Sequence, residues 1–331
     1  MKTNNLTNWP YYSNEEKKIV TSVLSSGKVN YWTGKLCKEF EKDYAKYVGT
    51  KFAISVANGT VALELALKSL NISKGDEVVV TPRSYVASAS SVVNVGAKPI
   101  FCDVSKDTGN IDLENLSKVV TSKTKAVICV HIMGLPCDMD KIMKYAKNKK
   151  IFIIEDCSQA HGAEYKGKRV GSIGDIGTWS FCQDKIISTG GEGGMITTNS
   201  KKYWEHMWKL KDHGKNLNKL SYKKDKEIGF KWVHDDFGSN FRMTEMQAAI
   251  GIYQLRLLNK WQKKREANAN KIIKVFKKYK GAISFFDYPK YSKHAWYRCC
   301  ILINQQKLKK GWSRDKLIKE ITKFKVPCFI G

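Results

Sequence analysis

The stretch IFIIED, residues 151–156, indicates the fold of this chain. Its four apolar residues form a short run typical of a strand buried on both faces of a sheet. Two acids, Glu155 and Asp156, end the run. In an open α/β sheet, the carboxyl ends of the strands border the crevice where ligands bind. We therefore expect Asp156 to lie at a ligand site.

Runs of similar composition recur along the chain, separated by stretches with apolar residues at helical spacing. This alternation predicts an α/β fold, a mostly parallel sheet flanked by helices. The other strand candidates are residues 52–56, 77–81, 99–103, 126–130, 176–180 and 195–198. The helix candidates are residues 61–67, 138–147, 244–258 and 314–323.

The length predicts two domains. A chain of 331 residues that is 42% hydrophobic can bury a substantial core and usually divides. After Leu258 the sequence becomes strongly basic, continues as a long helix to Lys280 and is broken at Gly281. We predict a large domain at residues 1–258 and a smaller α/β domain at residues 259–331.

The net charge of +27 suggests nucleic-acid binding at first sight. However, only seven of the 58 basic residues are arginine, whereas nucleic-acid recognition favours arginine forks and aromatic stacking in one patch. The lysines are spread over predicted surface helices, such as residues 144–150 and 271–280. We expect no nucleic-acid partner, and only a general attraction for anionic substrates.

We predict the cellular compartment from the absence of targeting, membrane and cysteine-pair patterns in the sequence. Residues 1–10 have no apolar signal-peptide core, and no apolar run approaches the roughly 18 residues of a membrane helix. The nine cysteines form neither a CxxC pair nor a cluster with zinc spacing. We expect a cytoplasmic protein with reduced thiols, no metal and no membrane partner.

A lysine on a later loop complements Asp156. Lys185 follows the strand candidate at 176–180 and precedes the glycine-rich stretch TGGEGG, residues 189–194. Pyridoxal 5'-phosphate (PLP) chemistry requires such a pair, because the acid holds the pyridinium proton and the lysine forms a Schiff base. The glycine-rich stretch lacks the Gly-Lys-Ser/Thr ending of a P-loop, so nucleotide hydrolysis is not expected.

A phosphate site is predicted at residues 58–60, where the sequence NGT follows a strand candidate and opens a helix. Free backbone N–H groups and the Thr60 hydroxyl can hold a phosphate there. A simple helix N-cap explains the same three residues when they are taken alone. Tyr85 and Ser180 stand at other strand ends, and they favour the phosphate site because one cofactor would use all of these positions.

Four motifs appear in order along the chain. They are NGT at 58–60, EDCSQAHG at 155–162, SF at 180–181 leading to Lys185, and NFRMTEMQAAIG at 240–251. Together they resemble the sugar aminotransferases of the DegT/StrS type, which are fold-type I PLP enzymes. The likeness runs from about Trp9 to the end of the chain.

The resemblance implies a role for each matched residue. Lys185 would form the Schiff base and move a proton between substrate and cofactor, with burial keeping part of its amine neutral. Asp156 would pair with the pyridinium nitrogen. Gln159 would hydrogen-bond the ring hydroxyl, and Tyr85 would stack on the ring face.

The phosphate contacts implied by the resemblance divide between two subunits. Gly59, Thr60 and Ser180 would hold the phosphate from one subunit, and Asn240 would reach it from the other. The minimal active unit would then be a homodimer. Loops around residues 31–34 and 215–234 are expected to contact the substrates.

The resemblance also implies the reaction. L-Glutamate would donate its amino group to the cofactor, and a nucleotide-linked keto-sugar would receive it. Related sugar dehydratases carry histidine where this chain has Lys185, so transamination is favoured over dehydration. Residues 326–331 resemble a segment that leads into further small-domain sequence in the family. An incomplete small domain, and hence a catalytically impaired PLP-binding homologue, is the alternative expectation.

Overall fold

The computed structural model describes residues 9–217, 232–279 and 281–330. Between residues 36 and 156 the α-helices alternate with strands, as predicted. The helices are α1 Asn14–Ser25, α2 Leu36–Val48, α3 Gly59–Ser69, α4 Ala87–Asn94, α5 Leu113–Val119, α6 Met139–Lys149, α7 Lys201–Lys211, α8 Glu245–Phe276 and α9 Arg314–Lys323. The strands are β1 Phe52–Val56, β2 Glu77–Val80, β3 Lys98–Phe101, β4 Thr124–Val130, β5 Phe152–Asp156, β6 Glu164–Tyr165, β7 Lys168–Arg169, β8 Ile176–Ser180, β9 Gly194–Thr198, β10 Ile283–Ser284, β11 Ser292–Lys293 and β12 Leu302–Ile303.

The central sheet confirms the α/β prediction. In the described residues it has seven strands in the order β1-β9-β8-β5-β4-β2-β3. The five strands from β8 to β3 are parallel to their neighbours. β9 alone runs against this direction, because it pairs antiparallel with both β8 and β1. All seven predicted strands are present, with ends that differ from the predicted ones by at most two residues.

The antiparallel strand β9 follows from the connection that precedes it. A parallel return usually runs through a crossover helix. Residues 181–193 instead form a loop closed by Phe181 N–H to the carbonyl of Gly193, at 2.8 Å. Gly190 and Gly191 have φ of 82° and 115° there, which glycine adopts without steric penalty. The loop that carries Lys185 is therefore a hairpin-like connection.

Both faces of the sheet are buried, as the continuous apolar run predicted. Ile154 packs into one core cluster with Phe40 of α2 and Leu65 of α3. Its neighbour Ile153 packs into a second cluster, on the α5 and α6 side, with Ile142. Alternate residues of a strand point to opposite faces, so one short run supplies two cores.

Helix α8 shows how local sequence places a helix start. The Thr244 side chain accepts a hydrogen bond from the backbone N–H of Gln247, and the Gln247 side chain accepts one from the N–H of Thr244. This capping box satisfies two amides that the helix itself leaves unpaired. The helix then runs to Phe276, so the predicted domain boundary at 258/259 falls inside it. The division into two domains stays a prediction.

The carboxyl-terminal region holds small antiparallel pairings. β10 pairs with β12, and β11 pairs with β6 of the preceding region. α9 lies near the end of the described chain, where the final helix was predicted. No helix in the described ranges is both long and apolar enough to cross a bilayer.

Glu155 is a buried anchor for the loop between β7 and β8. Its carboxylate accepts hydrogen bonds from the backbone N–H groups of Gly171, Ile173 and Gly174, at 2.7–2.9 Å. The His131 ring nitrogen Nε2 lies 3.0 Å from the same carboxylate. Burial raises the pKa of Glu155, but the His131 contact and these amides outweigh burial and lower it overall.

We expect Glu155→Gln to destabilise the fold by about 2–4 kcal/mol, since an amide nitrogen would face a donor inside the core. The pKa of Glu155 is lowered on folding, so its stabilisation is present above the unfolded pKa of about 4.3 and is lost as pH falls. Urea unfolding of the variant should therefore depend less on pH in the acidic range. Glu114→Gln on the exposed face of α5 is the control and should unfold like the parent. Equal stability of the Glu155 variant and the parent would contradict the anchor role.

Candidate active site

The two residues at the centre of the prediction follow adjacent strands. Asp156 is the last residue of β5 and lies opposite Thr178 of β8 in parallel register. Ser180 ends β8, and Lys185 lies on the loop that follows. Because parallel strands end at the same edge of a sheet, these residues gather at one crevice.

Asp156 is held as a buried acceptor. Only 6% of the surface of Asp156 is exposed. Oδ2 accepts a hydrogen bond from the Ser88 hydroxyl at 3.1 Å, and Oδ1 accepts one from the backbone N–H of Ser158 at 3.1 Å. The sequence did not single out Ser88, because a serine on a helix three residues after Tyr85 carries no distinctive signal.

Lys185 is held by contacts from three parts of the chain. Its carbonyl accepts a hydrogen bond from the Trp9 indole at 2.9 Å. Its Nζ lies 2.9 Å from Asp184 Oδ1 and 5.6 Å from the centre of the Tyr297 ring. The side chain is 16% exposed. The amine is therefore confined at the crevice but remains accessible.

The pKa of Lys185 corrects one expectation. Burial lowers the pKa of the ammonium, as predicted, but the hydrogen bond to Asp184 and the nearby Tyr297 outweigh burial, so the pKa is raised overall. The prediction that burial keeps part of this amine neutral is wrong for this arrangement. Asp184, which raises the pKa, immediately precedes Lys185 in the sequence, so the sequence already contained this indication.

The predicted phosphate site places Gly59 against Ser180. A Cβ atom at position 59 would lie 2.7 Å from the Ser180 Cβ, so only glycine fits this approach. Asn58 caps α3, accepting the N–H of Val61 at 2.9 Å through its side chain. The first-turn amides of α3, at Gly59 and Thr60, have no partner within the helix by geometry. Gly59, at the positive end of the helix dipole, lies against the Ser180 side chain.

We expect Gly59→Ala to push α3 away from β8, lowering the free energy of unfolding by about 1–3 kcal/mol. PLP affinity should fall about tenfold, because the phosphate donors would move apart. Thermal unfolding of the cofactor-free protein and titration with PLP measure the two effects. In a Ser180→Gly background, where the clashing Cβ is absent, the same substitution should destabilise less. An equal loss in both backgrounds would refute the steric explanation.

The other predicted residues are placed as follows. The Gln159 side-chain oxygen accepts the backbone N–H of Met133 at 2.7 Å, so this amide is oriented at the end of β4. Tyr85 lies before α4 with 73% of its surface exposed. Asn240 is exposed, and its backbone pairs with Asp212. The structure thus brings Gly59 against Ser180, and the segment that carries Asn240 runs beside residues 56–57, since the carbonyl of Phe241 accepts the N–H of Ala57 at 2.9 Å.

His161 of the EDCSQAHG motif is a packed structural residue. Its ring lies between Trp179 and Phe181, with Nδ1 3.0 Å from the Tyr44 hydroxyl and Nε2 2.9 Å from the Ser180 carbonyl. Burial lowers the pKa of His161 to about 3, so the ring is neutral at physiological pH. Its contact with Ser180 helps to fix the end of β8.

The loops expected to contact substrates meet at one cluster. Lys215 Nζ lies 4.4 Å from the Trp32 ring centre and 4.3 Å from the Trp232 ring centre. Its ammonium also lies 3.1 Å from Asp212. Residues 218–231 of the second loop lie outside the described residues. The contribution of these loops to substrate binding stays a prediction.

The residues at the crevice fit PLP. Asp156 is a buried acid that accepts hydrogen bonds from both of its partners, Ser88 and Ser158. The α3 amino terminus and Ser180 form a phosphate cradle that a Cβ at position 59 would fill. Lys185 supplies a confined primary amine. A carboxyl group, a phosphate cradle and a primary amine are the groups that this cofactor requires.

Comparison with known proteins agrees with this chemistry. Residues 10–330 match the DegT/DnrJ/EryC1/StrS aminotransferase family. The chain belongs to this family. The resemblance and the fold predicted from the motifs are therefore confirmed, and the protein is a PLP-dependent aminotransferase.

Relatives within the family cover most of the chain. GDP-perosamine synthase of Escherichia coli O157:H7 is 39% identical over 82% of this chain and 73% of its own length. The dTDP-3-amino-3,6-dideoxy-alpha-D-galactopyranose transaminase of Aneurinibacillus thermoaerophilus is 34% identical over 96% of this chain and 82% of its own. The crystal structure of an aminotransferase from Psychrobacter cryohalolentis has 49% identity and a TM-score of 0.94, over 98% of this chain and 83% of that one.

Proposed function

We propose that this aminotransferase moves the amino group of L-glutamate to a nucleotide-linked keto-deoxysugar, for the synthesis of amino sugars in surface polysaccharide. The observation that carries the proposal is that Lys185 lies on the loop after β8, the strand paired with β5, and that β5 ends at the buried residue Asp156. The names of the relatives supply the substrate class, since both curated relatives make amino sugars carried on nucleotides.

The proposed roles divide the chemistry among four positions. When bound, PLP supplies an electron sink for the bond that is broken at the substrate carbon. Asp156 would pair with the ring nitrogen, and Ser88 and Ser158 hold its carboxyl group in place. Lys185 would hold the cofactor through its amine, and its Nζ would carry a proton when that amine is free. The amino terminus of α3 and Ser180 anchor the phosphate.

Mass analysis of reaction products tests the proposal. The purified protein is incubated with PLP, L-glutamate and a panel of GDP-linked and dTDP-linked keto-deoxysugars. Replacement of a carbonyl by an amino group in one sugar, with formation of 2-oxoglutarate, is the expected result. Loss of a hydroxyl without gain of nitrogen would instead assign dehydration. No change in any sugar, despite conversion of PLP by glutamate, would refute the acceptor class.

We also propose a homodimer with shared active sites. The family resemblance supports it, since it implies that Asn240 reaches the phosphate of the other subunit, and Asn240 is exposed in this chain. Exposed apolar side chains at Val86 and Val93 of the α4 region, and at Phe101 of β3, offer surface that a partner can bury.

Subunit mixing tests the shared site. Lys185→Ala and Asn240→Ala proteins should each be inactive or weak alone. After denaturation and refolding together, about one quarter of parental activity should return, because half of the dimers are mixed and each has one intact site. Refolding each variant alone is the control. No recovery in the mixture, with dimers present by light scattering, would refute the sharing of residues.

The cytoplasm is the proposed location. All nine cysteines are free thiols in the structure, and five of them are buried. Free thiols are typical of proteins kept in reducing compartments. Fractionation of the native host with antibody detection tests this location, and recovery in an extracellular fraction would contradict it.

A further inference from the structure

Asp184 accepts hydrogen bonds from two side chains, Lys185 and Tyr297, which are far from each other in the sequence. Its Oδ1 accepts a hydrogen bond from Lys185 Nζ at 2.9 Å. Its Oδ2 accepts one from the Tyr297 hydroxyl, 113 residues away in the chain. The Tyr297 ring also lies 5.6 Å from Lys185 Nζ. The Lys185 amine therefore contacts the Asp184 carboxylate and lies over the face of the Tyr297 ring.

The pKa shifts of Asp184 and Tyr297 agree with these hydrogen bonds. Burial raises the pKa of Asp184, but hydrogen bonds from Tyr297 and Lys185 outweigh burial and lower it overall, so the carboxylate is charged at neutral pH. Burial and the contact with Asp184 raise the pKa of Tyr297, so its hydroxyl stays a donor. Asp184 is thus an acceptor for both neighbours.

Other polar groups face the amine from the surrounding elements. Arg298 NH2 lies 3.9 Å from Asp184 and 3.3 Å from the Tyr297 hydroxyl. Cys182 on the same loop and the neutral ring of His161 also lie near Lys185, and Arg265 on α8 lies near His161 and Tyr297. The two arginines are cationic, so Asp184 is the anion that balances Lys185 in this set.

We infer that Asp184 is a positioning residue that holds the free amine of Lys185 in its protonated form, and that Tyr297 fixes the Asp184 carboxylate for this purpose. The inference rests on the proposed role of Lys185. It applies whenever the amine is not bonded to the cofactor.

Competitive acetylation of the cofactor-free protein tests the inference. Only a neutral amine reacts, so the labelling rate of the Lys185 peptide between about pH 6 and pH 10 reports its protonation. Asp184→Asn should raise that rate about tenfold at neutral pH, because the balancing charge is lost beside two arginines. The midpoint of the pH profile separates this effect from a change in accessibility.

Three further variants make the assignment specific. Asp184→Glu keeps the carboxylate and should restore a profile close to the parental one. Tyr297→Phe should shift the profile in the same direction as Asp184→Asn but less, because the carboxylate remains and loses only its anchor. Asp140→Asn removes the acid that contacts Lys166 elsewhere on the surface, and should leave the Lys185 profile unchanged.

Two outcomes would overturn the inference. One is an Asp184→Asn profile that superimposes on the parental profile, and the other is a shift produced by Tyr297→Phe alone. Borohydride reduction of the PLP-loaded protein, with mass analysis of the same peptide, tests separately whether Lys185 bonds the cofactor. Absence of that bond would refute the proposed function, whereas the profile of the cofactor-free protein tests the role of Asp184.

Discussion

Lys185→Ala should lower the rate of amino transfer from L-glutamate by at least about 10³-fold, which is the largest effect expected for a single change in this chain. The substitution removes the amine that bonds the cofactor and the group that carries the proton. The absorbance change of the bound cofactor on addition of glutamate measures the half-reaction directly, without knowledge of the sugar acceptor.

Lys185→Arg is the matched control for charge. Arginine keeps a cation beside Asp184, but its guanidinium stays protonated and does not act as the nucleophile. It should therefore be about as inactive as alanine. A near-parental rate in either variant would show that another group does the chemistry, and the assignment of Lys185 would have to be abandoned.

Asp156→Asn should lower the rate of the same half-reaction by about 10²-fold or more, the size expected when one preorganised electrostatic contact is lost from an active site. The amide occupies the same space and can still meet Ser88 and Ser158, so the fold should be retained. What it lacks is the negative charge that stabilises a protonated ring nitrogen. PLP binding should weaken less than the rate falls.

Asp175→Asn offers a matched comparison on the neighbouring strand. Asp175 accepts the backbone N–H of Ile153 at 2.8 Å, at the opposite end of the β5–β8 pair from Asp156. The same chemical change there should leave the half-reaction rate near the parental value. If Asp156→Asn and Asp175→Asn lowered the rate equally, the effect would reflect general damage to the sheet rather than a specific charge.

The strands were predictable because their physical requirement is local. A run such as residues 151–156 is apolar enough to be buried on both faces, and acids at its end mark the crevice. The capping box at Thr244 and Gln247 is also a local pattern, and it begins α8 within one residue of the predicted start. The long-range cofactor cluster was reached through motif resemblance, since no local rule brings Gly59 to Ser180.

The direction of β9 and the setting of Lys185 were less accessible to sequence reasoning. The direction of β9 depends on its tertiary pairing, because it lies between β1 and β8 and is antiparallel to both. The state of the Lys185 amine depends on Asp184 and on Tyr297 from the carboxyl-terminal region. Burial alone predicted a partly neutral amine, whereas these contacts raise its pKa.

The amino-acid sequence by itself determined the α/β class, the position of Asp156 at a strand end and the lysine suited to PLP chemistry, because these follow from hydrophobic pattern and residue type. The tertiary structure decided which side chains surround that lysine. Electrostatic interaction depends on distance in space and on burial, and residues far apart in sequence, such as Asp184 and Tyr297, become neighbours only when the chain is folded.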